Sequence, residues 1–276
     1  METGLALAGG GIPGCAAVGV IKAFEEEGIT ITHITGTSSG AMVAALYAYG
    51  YRGAELASII PQLSRRYLDI DWKSLLLRAL FLQPSFEGWL KGSRLRTLIA
   101  SLTKNEDISS IHLPCGIVAS DLNTGTKVVF TQSKGIENSI TENVTIADAV
   151  RASFAIPVVF QPLRLSDKIL IDGGVQENCP VSLCKRLGAK HVVAVDPISP
   201  IADIPLPALG TYKLLHKIVY MNLKQQMQTE LNRADYLLQP ETGFIGAFQF
   251  RKAAHCMEAG YQAAKGQLPR IKEMLA

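Results

Sequence analysis

Charge is scarce in this 276-residue chain: acidic and basic residues make up only 18% of it, and the formal net charge is +3. So small an imbalance creates no strong field for nucleic acid. Aromatic residues are few, with only two tryptophans. The five cysteines (Cys15, Cys115, Cys179, Cys184 and Cys256) are odd in number and include no CxxC pair. That disfavours a disulfide framework or a zinc site, and buried free thiols in a reducing compartment are expected. No G-x-x-x-x-G-K-[ST] run occurs, which excludes a P-loop. Two stretches lack charge, Thr3 to Ile21 and Gly28 to Tyr51. The first holds six glycines and Pro13 and lacks a basic leader, so it fails as a signal peptide. The second is crowded with Thr, Ser, Gly and His33, which a lipid-facing helix avoids. With no targeting segment visible, the cytoplasm is the expected location.

Apolar residues, by contrast, make up 48% of the chain, ample for a large core. Both uncharged stretches read as a buried strand followed by a buried helix. Leu5 to Ala8 is a strand closed by Gly9-Gly10-Gly11. Cys15 to Glu27 has helical spacing, Ile29 to Thr35 is β-branched and strand-like, and Ser39 to Tyr49 is an Ala-rich helix. Strand, helix, strand, helix predicts a parallel sheet with helices on its faces. Tyr51 to Ser110 is mostly helical and irregular. Cys115 to Ala119 and Lys127 to Thr131 flank a hairpin turn, and Thr145 caps a helix ending at Ser153. Further strands are expected at Ile169 to Ile171, Val192 to Val195 and Tyr236 to Leu238. Helices are expected from Tyr212 to Leu231 and from Lys252 onward, the last broken or kinked at Pro269. No repeat or linker interrupts the chain, so one domain over 1-276 is expected.

The strongest local motif is Gly36-Thr37-Ser38-Ser39-Gly40, a G-x-S-x-G run between a predicted strand and a predicted helix. There a serine sits on a tight turn, and the following helix points its N-terminus at developing negative charge. Gly9-Gly10-Gly11-Ile12-Pro13-Gly14 fits G-x-G-x-x-G, which raises a dinucleotide site. That site needs an acid at the end of the second strand, and the serine turn stands there instead. The glycine loop then reads as an oxyanion hole of backbone N–H groups. None of the histidines, His33, His112, His191, His216 and His255, has a distinctive setting. Asp121, Asp172 and Asp196, all at strand ends, are close to equal candidates for the base. Asp172 is favoured because Gly173-Gly174 lets the backbone approach another glycine loop. Partial burial would raise its pKa and make it a better proton acceptor.

Taken together, these motifs resemble the patatin-like phospholipase family. The likeness rests on Gly9 to Gly14, on Gly36 to Gly40 and on Asp172-Gly173-Gly174, supported by Ala119-Ser120-Asp121 before Thr124-Gly125 and by Ala152-Ser153-Phe154-Ala155-Ile156-Pro157. It covers about the first two-thirds of the chain; the last third adds no motif. The resemblance implies a three-layer α/β/α sandwich with a mainly parallel central sheet. It also implies a Ser–Asp dyad without histidine and hydrolysis of acyl esters or phospholipids without a metal or other cofactor. It carries the nucleophile to Ser38, the base to Asp172 and the oxyanion donors to the amides of Gly9, Gly10 and Gly11, with Gly14, Gly36, Gly40, Gly173 and Gly174 in support. The family usually has a basic residue where Pro13 stands, so a positive charge beside the oxyanion loop is missing.

The expected partner is a lipid or other acyl ester. The helical segment at about 54-110 is the candidate lid or lipid contact. Pro61 to Asn105 contains Trp72, Trp89 and the apolar run Leu75 to Leu82, with eight basic residues against three acidic ones. Such a composition suits peripheral contact with an anionic membrane; core helices capping the sheet would also carry it. The competing functions are a carboxylesterase or thioesterase on soluble esters, a non-catalytic lipid-binding module and a dinucleotide-binding protein.

Overall fold

The computed structural model describes residues 2–62, 69–70, 88–197 and 211–276, with the backbone alone for 211–220. Strand β1 (Thr3–Leu7) leads through a 3-10 turn, Ile12–Cys15, into α1 (Ala16–Glu26). Strand β2 (Ile31–Thr37) runs straight into α2 (Ser39–Tyr49), and α3 (Gly53–Ile59) follows. Then come β3 (Gly88–Leu90), α4 (Ser93–Leu102), β4 (Cys115–Asp121), β5 (Thr126–Phe130) and β6 (Ser139–Ile140). Helix α5 (Ile146–Ser153) precedes β7 (Val158–Phe160), β8 (Leu163–Leu165) and β9 (Lys168–Asp172). The chain continues through α6 (Val181–Arg186), β10 (His191–Val195), α7 (Thr211–Leu231), β11 (Tyr236–Leu238) and α8 (Ala253–Leu275).

Among the described residues nine strands form one sheet, ordered β11-β10-β1-β2-β4-β5-β6, with β9 against β4 and β8 against β9. The ladders from β11 to β4 are all parallel, as is β5–β6; β4–β5, β4–β9 and β8–β9 are antiparallel. Side chains alternate across a strand, and β1 shows what that does here. Leu5 and Leu7 join the apolar cluster beneath α1, α2, α5 and α8, whereas Ala6 and Ala8 face Val181, Cys184, Met227 and Leu231 of α6 and α7. The sheet is therefore covered on both faces, giving the three-layer α/β/α sandwich with a mainly parallel centre.

From β1 the chain builds outward in two directions, to β2 and β4 on one side and later to β10 and β11 on the other. A crevice opens at such a switch point, beyond the carboxyl ends of the strands. The glycine loop leaves β1 at that place.

Two local expectations change. Residues 51–110 include β3, which pairs with β7 in a small separate sheet; three residues are too few to show an alternating pattern. Helix α8 runs on through Pro269, so of the expected break or kink the break does not occur. Proline removes one bond to the Lys265 carbonyl, but buried Leu268, Ile271 and Leu275 hold the turns around it. The last third, which carries no motif, packs against the glycine loop. The hairpin around Gly125 forms as expected, and all five cysteines are buried and unpaired. Trp72, Leu75 to Leu82, and Arg65, Arg66, Lys73 and Arg78 lie outside the described residues, as does the His216 side chain.

Candidate active site

Two strands meet head-on beside β4. Strand β2 runs parallel to it and ends with Thr37 opposite Val118. Strand β9 runs the other way along β4 and ends with Asp172 opposite Ala119. Consecutive residues of one strand thus gauge the gap between the end of β2 and the end of β9. Ser38 follows Thr37 immediately, so its side chain and that of Asp172 are brought together although 134 positions separate them in sequence.

Ser38 is the cap of α2 and has φ 55 and ψ −122. An L-residue held in that region costs about 1–3 kcal/mol, which the surroundings must offset. They do so with close packing. Cβ atoms at Gly36 or Gly40 would collide with the Gly40 and Leu7 carbonyls, respectively, and one at Gly173 with the Val118 carbonyl. The Ser38 N–H donates to Ser153 Oγ at 2.8 Å, and Thr37 Oγ1 donates to the Glu177 carbonyl at 2.7 Å. Ser39 instead turns its buried hydroxyl under Gly14, without a hydrogen-bond partner. Of the two hydroxyls, Ser38 faces the carboxylate.

The three aspartates at strand ends separate clearly by environment. Asp121 accepts bonds from the Asn123 and Ile169 amides and from Thr124 Oγ1, with Lys168 Nζ at 4.0 Å. Burial alone would raise its pKa, but these partners outweigh it and hold the carboxyl below the ordinary range. Asp121 is a turn anchor and a poor proton acceptor. Asp196 is bonded by Gln239 Nε2 at 3.2 Å and lies 3.7 Å from Lys224 Nζ.

Asp172 differs. Its Oδ1 accepts the Gly174 N–H at 2.7 Å, while Oδ2 is buried and takes no bond of good geometry. Burial pushes the carboxyl up to about 6; the nearby Ser38 hydroxyl and the Gly174 amide offset part of that rise. A buried lone pair with raised basicity is what a proton acceptor needs at neutral pH. Among the described residues no histidine bonds to either side chain. His33 lies toward the other end of β2, opposite Gly4, with Nδ1 2.9 Å from Thr32 Oγ1.

The glycine loop lies directly over Ser38. A Cβ on Gly9 would stand 2.8 Å from Ser38 Cβ and 2.7 Å from Asn178 Oδ1. The Gly9 N–H reaches the Asn178 carbonyl at 3.3 Å, whereas the Gly10 and Gly11 amides donate to no group among the described residues. Gly11 has φ +66 and is covered by Ala247, whose carbonyl accepts the Ile12 N–H at 3.0 Å. Two partnerless amides at a positive-φ turn, beside a serine and a buried carboxylate, suit an acyl-transfer site.

The sequence profile of the patatin-like phospholipases matches residues 5–185, more than half of the chain. The chain belongs to the patatin-like phospholipase family. Within that family it is similar to the uncharacterised protein YqhO of Bacillus subtilis, 30% identical over 201 residues that cover 68% of either chain. It is also similar to an uncharacterised NTE family protein of Mycobacterium tuberculosis, at 26% identity over 96% of this chain. The match spans only 46% of that longer relative. Among solved structures, VipD of Legionella pneumophila shares the fold, with a TM-score of 0.54 at 16% identity, covering 98% of this chain and 67% of that one. The patatin-like profile contains the serine turn, the glycine loop and Asp172. It ends before Ala247, so part of what encloses the glycine loop comes from beyond the matched region.

Sequence reasoning missed Asn178 and the loop at Ala247, because each is brought to the site only by folding. Ser153 was visible within its motif, but nothing local revealed what its hydroxyl bonds. No helix among the described residues is long and apolar enough to cross a membrane.

Proposed function

We propose that this chain is a serine hydrolase of acyl esters, with lipid as its substrate class, working through Ser38 and Asp172. The observation that carries the reading is the buried Oδ2 of Asp172, which takes no hydrogen bond of good geometry and lies beside the Ser38 hydroxyl. Ser38 Oγ attacks the ester carbonyl and passes its proton to Oδ2. The carbonyl oxygen becomes an oxyanion held by the Gly10 and Gly11 amides, at the positive end of α2. The Gly9 N–H is engaged by Asn178, so Gly9 serves mainly as the gap through which the loop approaches Ser38. Collapse of this intermediate breaks the ester C–O bond, and the departing alcohol takes the proton from Asp172. Water then attacks the acyl-serine, giving its proton to Asp172. As the second intermediate collapses, the proton returns to Ser38 and the fatty acid leaves.

Fluorophosphonate labelling followed by mass spectrometry tests the assignment. The adduct should fall on Ser38, and Ser38→Ala should lose both labelling and hydrolysis while keeping its fold. An adduct elsewhere, or hydrolysis by Ser38→Ala, would remove the reading. No labelling at all would favour a non-catalytic lipid-binding module. A preference for short-chain soluble esters over long-chain ones would favour the esterase reading.

Lipid access through a peripheral contact has its own support. Ile70, Trp89 and Val158 are exposed on the small β3–β7 sheet and the bridge beside it. Val158 holds φ +69, a strained setting for a β-branched residue. An exposed apolar patch on a chain with +3 net charge suits an anionic bilayer. Phosphatidylglycerol vesicles should bind the wild type more tightly than Trp89→Ala; equal binding would argue against this face.

A further inference from the structure

We propose that Ser153 is a positioning residue for this reaction, and that residues 153–155 form a clamp fixing the separation of nucleophile and base. The inference rests on the Ser38–Asp172 reading. Ser153 ends α5 and is fully buried. Its hydroxyl donates to the Val118 carbonyl at 2.6 Å, which turns the oxygen lone pairs toward the Ser38 N–H, accepted at 2.8 Å. Two residues later the Ala155 carbonyl accepts the Asp172 N–H at 2.9 Å. One short segment therefore holds the main chain of both reacting residues.

The chemistry asks for a hydroxyl. The group must accept from an amide and donate to a carbonyl at once. Alanine does neither, and a carboxylate would repel the Val118 oxygen. Without Ser153 Oγ, a buried N–H is left unsatisfied on the residue that carries the strained φ 55. Relaxation of that turn swings Ser38 Oγ away from Asp172 Oδ2. The same bond keeps the Ser38 amide out of the oxyanion hole, leaving that task to Gly10 and Gly11.

The test compares Ser153→Ala, Ser153→Thr, Ser38→Ala and the wild type on a p-nitrophenyl ester. Rates of the wild type and the two Ser153 variants are divided by the sites titrated with a fluorophosphonate, so unfolded protein does not count; Ser38→Ala, which has no site to label, is compared per mole of folded protein. Ser153→Ala should lose about 10- to 100-fold in kcat per titrated site, the scale of a small misplacement of reacting atoms. KM should stay near the wild-type value. Ser153→Thr, which keeps the oxygen, should recover most of the rate. Wild-type kcat per titrated site in Ser153→Ala overturns the proposal, as does equal loss in both variants. Should Ser153→Ala fail to fold, a crystal structure of the wild-type fluorophosphonate adduct decides: Ser153 Oγ within hydrogen-bond reach of Ser38 N supports the clamp, and its absence from that position sinks it. Hydrolysis by Ser38→Ala would fail the dyad itself, which is a separate result.

Discussion

Replacing Asp172 by asparagine should separate stability from activity, and the amount can be worked from its surroundings. Burial holds this carboxyl at about 6 against an ordinary 3.8. At about 1.36 kcal/mol for each pH unit, the difference corresponds to about 3 kcal/mol of folding stability withheld once the group is ionised. The sign follows from linkage. The folded chain binds this proton more tightly than the unfolded chain does, so stability is highest below the ordinary carboxylate range and is lost as pH rises through about 6. The side-chain amide introduced by Asp172→Asn would stay neutral and can still accept the Gly174 N–H. The variant should therefore be more stable than wild type at pH 8, by up to about 3 kcal/mol. That advantage should shrink by about 2 kcal/mol on going to pH 4. Glu177, also raised by burial, titrates in both proteins and cancels from the comparison. Urea unfolding of the pair at pH 4, 6 and 8 measures the gap. Ester hydrolysis in parallel should show a loss of about 100-fold or more, and wild-type kcat/KM should fall below about pH 6. A stability gap that is the same at pH 4 and pH 8 would refute the claim that burial penalises this charge.

Two other variants probe the neighbours. Gly9→Ala places a Cβ 2.8 Å from Ser38 Cβ and 2.7 Å from Asn178 Oδ1, so the loop must lift from the serine. Titrated-site kcat should fall by about 100-fold, and unchanged kcat would mean that the loop does not set the oxyanion donors. Asp121→Asn should keep its rate per titrated site but unfold at lower urea, because the charge answering Lys168 and the turn amides is gone. A crippled rate with undiminished stability would transfer the base to Asp121.

The first two strand–helix units were legible in sequence because each residue's neighbours are local. A glycine ends an apolar run, an amphipathic pattern follows, and the motif glycines announce tight turns at Gly9 to Gly11 and around Ser38. Other features were opaque for equally physical reasons. Strand β3 is too short for a pattern, and α8 passes Pro269 because packing on the core outweighs one lost hydrogen bond. The site was half visible. Ser38 has a signature in its own turn, whereas Asp121, Asp172 and Asp196 look alike as letters, each at the end of an apolar run.

What the sequence alone determined is the alternation of elements, the strained serine turn and the short list of possible bases. Folding gives those three carboxylates different surroundings. Asp121 is surrounded by donors and Asp196 by Gln239 and Lys224, whereas Asp172 keeps, among the described residues, a buried oxygen beside the serine with no hydrogen bond of good geometry. Basicity depends on which groups desolvate or bond a carboxylate, and those groups arrive from distant segments only when β2 and β9 meet against β4.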